Sequence, residues 1–158
     1  MKILIIEDSK TEAKILTQCL KRMYEEPVTV NQESLLSDAV DLLSSEELDY
    51  DLVFLDLRLP DSHSWEETYK AIEPYTCKVP VIVLTADNDK DIARELLKNG
   101  AEDFIVKGSR KRNFEMLRES IDFALYRHEL VRLLSCRAEK DRQAARWMSG
   151  AYSVQEPA

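Results

Sequence analysis

The chain has 158 residues, 44% apolar and 33% charged, with a formal net charge of −8, which suits one globular domain with a real core rather than a disordered segment. That acidity argues against direct nucleic-acid binding and against a membrane surface as partner. The only three glycines, at positions 100, 108 and 150, exclude a P-loop or a Gly-rich dinucleotide fingerprint, since both need several glycines at fixed spacing to bring backbone amides onto phosphates. No apolar run approaches the length of a membrane span, and Met1-Lys2 leads into a strand pattern rather than a signal peptide. Cys19, Cys77 and Cys136 are an odd set without metal-type spacing, which points to free thiols and a cytoplasmic setting. The charge is uneven: residues 110–158 carry ten basic and seven acidic side chains, against twelve and 23 in residues 1–109.

In chain order, Lys2 to Ile6 reads as a buried strand that ends in Glu7-Asp8. Ser9 caps a helix to about Tyr24, with Ala13, Ile15, Leu16, Cys19, Leu20 and Met23 on one face, and Pro27 stops it. Val28–Val30 is a short second strand, and Leu35 to about Leu43 a second helix. Leu52–Leu55 is a third strand that meets Asp56, and the loop 60–64 leads to a helix over Trp65 to Ile72. Val79–Leu84 is a fourth strand, with Pro80 at its start where a missing donor is tolerated, and it runs into Thr85-Ala86. A helix over Lys90 to Asn99 ends at Gly100, and Asp103–Val106 is the fifth strand, followed by Lys107-Gly108. Strict strand–helix alternation implies a five-stranded parallel sheet covered on both faces, an α/β fold with right-handed crossovers.

From about Lys111 a helical pattern runs to Trp147 with no glycine or proline before Gly150. Phe114, Leu117, Ile121, Ala124 and Leu125 have the spacing to pack on the sheet, and the stripe continues through His128, Val131 and Leu134, past where a compact domain should end. A projecting helix must bury such a stripe on something, most simply on a copy of itself. The chain therefore divides into a domain over 1–127 and a helical extension and tail over 128–158.

Polar residues stand at four strand ends: Glu7 and Asp8, Asp56, Thr85, and Lys107. Strand ends of a parallel sheet share one edge, where ligands gather, so these five residues can converge. Three carboxylates in one cleft raise each other's pKa, and a hard divalent cation relieves the repulsion; oxygen-only ligands favour Mg²⁺. Lys107 adds a charge suited to an anion and Thr85 a hydroxyl donor. Around one free carboxylate, such a set suits phosphoryl transfer to that carboxylate. Each residue alone has a plainer reading, a helix cap for the acids and a solvated surface charge for the lysine. Their joint placement at the ends of the first, third, fourth and fifth strands favours the chemistry.

These pieces, Ile-Leu-Ile-Ile-Glu7-Asp8-Ser9, Phe-Leu-Asp56-Leu-Arg-Leu-Pro60-Asp61, Val-Ile-Val-Leu-Thr85-Ala86 and Gly100-Ala101-Glu102-Asp103-Phe104-Ile105-Val106-Lys107, resemble the receiver domain of two-component response regulators in order and spacing, over roughly residues 1–127. The resemblance implies a doubly wound, flavodoxin-like sheet of strand order 2-1-3-4-5. It implies that Asp56 accepts a phosphoryl group from a histidine kinase or phosphotransfer protein. Glu7, Asp8, Asp56 and the backbone carbonyl of Arg58 would hold Mg²⁺, while Thr85 and Lys107 would bind phosphoryl oxygens. Phe104 stands where the family has its switch aromatic, although the residue by itself reads as a core or edge aromatic. The sequence departs from the family at Gly108, where proline after a cis bond is usual, and at Ser64, where glycine is common. No helix-turn-helix or enzymatic signature appears in residues 128–158.

The reading is thus a non-enzymatic signalling switch, relayed through the face formed by the fourth helix, fifth strand and fifth helix and by dimerisation of the last helix. Two rivals stand beside it. A phosphatase acting through an aspartyl-phosphate, haloacid-dehalogenase-like, would need a second acid where Arg58 stands and a nucleophile after the first strand. A phosphorylation-independent dimerisation scaffold with a vestigial site would not need the intact set of five. Arg58 and Asp87 are placed to tune water access to a phosphorylated Asp56.

Overall fold

The computed structural model describes residues 1–45, 49–86, 90–107 and 114–151. Strands β1 (Lys2–Ile6), β2 (Thr29–Glu33), β3 (Leu52–Asp56), β4 (Val81–Thr85) and β5 (Asp103–Val106) alternate with helices α1 (Lys10–Met23), α2 (Leu36–Ser44), α3 (Trp65–Ile72), α4 (Lys90–Lys98) and α5 (Phe114–Ala151). The strands form one all-parallel sheet, as the sequence pattern leads one to expect, in the order β2-β1-β3-β4-β5 that the resemblance implies.

The near-continuous apolar runs follow from burial on both faces. Leu4, Ile6, Val53, Leu55, Val81 and Val83 pack against α2, α3 and α4. The alternate residues Ile3, Ile5, Leu52, Phe54, Ile82 and Leu84 pack against Ala13, Leu16 and Leu20 of α1 and Leu117, Ile121 and Ala124 of α5. A one-residue slip of any central strand would exchange the two sets, so register is fixed by which helix covers which face.

Local chemistry sets the helix ends. Ser9 caps α1 by accepting from the Glu12 amide, and Ser64 caps α3 by accepting from the Glu67 amide. Gly100 closes the chain off just past α4; its φ of 99° requires glycine, and a Cβ there would lie 2.9 Å from the Thr76 hydroxyl.

Several details depart from the sequence expectations. Ile15 is 51% exposed and Phe114 45% exposed, although each falls on a helical stripe assigned to the core. Ile15 lies one position off the buried arc of Ala13, Leu16 and Leu20, and Phe114 opens α5 before the helix reaches the sheet. β2 runs on through Asn31, Gln32 and Glu33, because an edge strand is held by backbone pairing with β1 and needs no apolar side chains. A 3-10 turn over Glu73–Tyr75 follows α3. β4 starts at Val81, and the Pro80 carbonyl still accepts from the Val53 amide. α5 extends to Ala151, past the expected end at Trp147. The Lys107-Gly108 bond and Asp87 involve positions outside the described residues. No described helix is long and apolar enough to cross a membrane.

Candidate functional site

Sheet register brings the strand ends together. Asp56 is the last residue of β3 and pairs with Leu84, while Thr85 pairs with Val106 one step further along. The Lys107 amide donates to the Thr85 carbonyl at 2.6 Å, which carries the lysine onto the same edge. At the end of β1 the Glu7 amide bonds the Glu33 carbonyl at 2.9 Å, and the Gln32 side chain donates to the Glu7 carbonyl at 2.9 Å. Backbone pairing thus positions Glu7, Asp56, Thr85 and Lys107 without help from their own side chains.

All of these side chains are largely withdrawn from water: Glu7 is 1% exposed, Asp56 6% and Thr85 8%. The Lys107 ammonium donates to Glu7 Oε2 at 2.5 Å and to Asp56 Oδ2 at 2.7 Å. The other Asp56 oxygen accepts from the Arg58 amide at 3.1 Å, so the carboxylate is held in one orientation. Glu7 Oε1 accepts from the Ser9 amide at 3.0 Å. Burial pushes the Glu7 carboxyl above its ordinary pKa; hydrogen bonds from Lys107 and Ser9 oppose the rise and the Asp56 charge adds to it. Burial works against the charge on Lys107, but its bonds to Asp56 and Glu7 outweigh this and raise its pKa.

Glu7, Asp8 and Asp56 each offer a carboxylate oxygen, and these oxygens lie within 4.8 Å of one another. The set is all oxygen, partly buried and more acidic than one lysine can balance, which fits a hard divalent cation with water completing its shell. Beside it a cleft of about 250 Å³ opens over Asp56, lined by Arg58, Ser62, His63, Trp65, Thr85 and Ile92 among others. Phe104 lies on β5, partly buried against the core cluster under α2, α3 and α4.

The loop that carries Arg58 is fixed from two sides, by α3 and by α2. Buried Thr68 donates to the Leu57 carbonyl at 3.0 Å and lies 2.7 Å from the Ser62 hydroxyl. Both carboxylate oxygens of Asp61 accept from the first amides of α2, those of Leu36 at 2.8 Å and Ser37 at 2.9 Å. Leu35 supplies no side-chain cap, so Asp61 is the N-terminal partner of a helix 25 residues upstream. Although burial opposes it, these amide bonds pull the Asp61 carboxyl below its ordinary pKa.

Sequence reading leaves out Asp61's capping role, Thr68 and Glu12. Glu12 Oε2 lies 3.6 Å from the Lys107 ammonium. It follows Ser9 by three residues, the spacing of a capping box, and that plain explanation hides it.

Comparison with known proteins agrees with this geometry. A model of the response regulator receiver domain matches residues 3–119. Regulatory protein LuxO of Vibrio cholerae is 32% identical over 105 residues, covering 65% of this chain and 21% of LuxO. Cell cycle transcriptional regulator CtrA of Caulobacter vibrioides is 30% identical over 107 residues, covering 68% of this chain and 44% of CtrA. The chain thus aligns with about a fifth of LuxO and under half of CtrA. The solved signal receiver domain of a putative Luxo repressor protein from Vibrio parahaemolyticus superposes with a TM-score of 0.67 at 32% identity, covering 84% of this chain and 95% of that one. A solved chain in which a trimeric coiled-coil segment of yeast Spc42 is fused to another structure gives a TM-score of 0.67 at 25% identity and covers 93% of this chain. Sheet order, strand-end residues and the match over residues 3–119 together make this chain a member of the response regulator receiver domain family.

Proposed function

We propose that Asp56 is the phosphoacceptor of this signalling domain. Family membership makes the domain a phosphorylation-based switch rather than a turnover enzyme. The observation that carries the assignment is the Asp56 carboxylate itself, held by Lys107 and the Arg58 amide at the mouth of a cleft. A carboxylate oxygen of Asp56 attacks the phosphorus of a phosphohistidine on a histidine kinase or phosphotransfer protein. The P–N bond breaks, and its electron pair stays with the imidazole nitrogen, which takes up a proton from solvent.

Glu7, Asp8, Asp56 and the backbone carbonyl of Arg58 would hold Mg²⁺. When bound, the ion supplies positive charge against the phosphoryl oxygens as they transfer. Lys107 offers its ammonium to the same oxygens, and the Thr85 hydroxyl donates to them from the end of β4. The rigid 57–64 loop keeps the acceptor and the Arg58 carbonyl in a fixed relation.

Phosphorylation adds roughly −1.5 to −2 charges at Asp56. Thr85 answers that charge by moving toward it, and Phe104 turns into the space vacated. The face made by α4, β5 and α5 then takes its second arrangement. The receiver unit covers residues 1–127. Arg127 bonds the Glu102 side chain and carbonyl, at 3.3 and 2.8 Å, and the His128 ring lies 3.6 Å from the Glu102 carboxylate, which ties this turn of α5 to the sheet domain. Beyond it Leu130, Val131, Leu133 and Leu134 are 43–61% exposed. The extension over 128–158 pairs with a second copy and relays the switch as dimerisation, a reading favoured by these exposed apolar residues along one helix.

Intact mass after incubation with phosphoramidate and Mg²⁺ tests this reading. One added phosphoryl group on the wild type and none on Asp56→Asn is the expected result. Uptake that survives in Asp56→Asn removes the assignment, and no uptake by the wild type favours the phosphorylation-independent dimerisation scaffold.

A further inference from the structure

Ser9 and Glu12 have the spacing of a capping box, in which Glu12 would reach back to the Ser9 amide. Only half of that box forms. The Glu12 amide donates to the Ser9 hydroxyl at 3.3 Å, but the Ser9 amide donates to Glu7 Oε1 at 3.0 Å. With its usual partner taken, the Glu12 carboxylate faces the site, and its Oε2 lies 3.6 Å from the Lys107 ammonium. Its side chain is 47% exposed, so it is free to shorten that distance, whereas Glu7 and Asp56 are packed in place.

Lys107 therefore stands among three carboxylates, at 2.5 Å from Glu7, 2.7 Å from Asp56 and 3.6 Å from Glu12. A divalent cation at Glu7, Asp8 and Asp56 draws on the oxygens that Lys107 now holds. An ammonium whose side chain is only 13% exposed cannot simply turn to water. It needs another acceptor within reach, and Glu12 is the adjacent mobile one.

We propose that Glu12 is a positioning residue that acts through Lys107, receiving the ammonium when a divalent cation claims Glu7 and Asp56 and so keeping it beside the acceptor carboxylate. The inference rests on the Mg²⁺ reading given above. A rival role for Glu12 is to add one more negative charge to the local field, which would also favour a cation but would not depend on Lys107.

A double-mutant cycle separates the two. Mg²⁺ alone is titrated into the full chain, followed by the fluorescence of Trp65 at the cleft, with Trp147→Phe introduced throughout to silence the other tryptophan. Glu12→Gln keeps the amide that donates to Ser9, so α1 keeps its cap. Since a partly exposed ion pair contributes little, it should raise the Mg²⁺ Kd by about three-fold. In a Lys107→Met background the same replacement should change the Kd by less than about 1.5-fold. A Kd that does not rise in Glu12→Gln overturns the proposal. So does an equal rise in both backgrounds, which assigns Glu12 to the field alone. If even the Glu12-containing protein shows no saturable response to Mg²⁺, the metal reading fails and this inference fails with it.

Discussion

The strand-end edge of the sheet and the outer half of α5 lie in one chain but are specified in different ways. At the edge, β3 is buried along its whole length and both oxygens of Asp56 have partners. On α5, Leu117, Ile121 and Ala124 are buried, yet one turn past Arg127 the apolar residues Leu130, Val131, Leu133 and Leu134 face water. The first region is positioned by folding alone, through backbone register that does not depend on which functional side chain stands at each strand end. The second has helix geometry and an apolar surface that no described residue covers, and the proposed pairing with a second copy would cover it.

The sharpest way to break that comparison is to truncate one side chain in each region. Phe54→Ala removes a fully buried ring from the central strand and should cost about 3–5 kcal/mol in chemical denaturation. Leu133→Ala, at a residue 53% exposed, should stay within about 0.5 kcal/mol at concentrations where the chain is monomeric. A large loss for Leu133→Ala in the monomer would mean that the extension packs on its own domain.

Removing residues 130–158 sharpens the contrast from the other side. Sedimentation velocity should find the concentration-dependent association lost, while phosphoryl uptake at Asp56 remains. Uptake lost together with association would join the two regions more closely than their separation along α5 allows.

Within the site edge, Thr68→Val tests whether the 57–64 loop is held from below. The valine keeps the volume but leaves the Leu57 carbonyl without its hydroxyl donor, a loss of about 1–3 kcal/mol of stability. An unchanged denaturation midpoint would show that the loop is fixed by Asp61 alone.

A further effect is on alkaline stability. Burial pushes the Tyr69 hydroxyl, which donates to the Asn99 carbonyl at 2.9 Å, up from 10.0 to about 12. The folded state thus holds this proton more tightly than the unfolded state. The contribution is present in full below pH 10 and is lost as pH rises toward 12. Tyr69→Phe should flatten that part of the stability profile, measured by denaturation at stepped pH, and an unaltered slope would contradict the assignment.

Much of this was legible in the sequence because of where the information lies. Ile3 to Ile6, Leu52 to Leu55 and Val81 to Leu84 are apolar on both faces, a pattern that only a sheet covered by two helical layers explains. The five polar residues at four strand ends were legible because parallel strands place their ends on one edge. The apolar signal of β2 stops at Val30, because Asn31, Gln32 and Glu33 carry none and are held by backbone bonds to β1. Ile15 and Phe114 sit at the border of their helical stripes, and periodicity fixes a face only to within a residue or two of its border. Asp61, Thr68 and Glu12 escaped for another reason: their partners are 25, 11 and 95 residues away, and no local spacing encodes them.

The identity of the phosphoacceptor is the point on which the rest depends, and borohydride trapping addresses it most directly. The chain is incubated with phosphoramidate and Mg²⁺, reduced with borohydride so that an acyl phosphate becomes an alcohol, digested and mapped by mass spectrometry. Homoserine at position 56 alone is the expected result. Reduction at Glu7 or Asp8, or an unmodified Asp56 after full incubation, would contradict it.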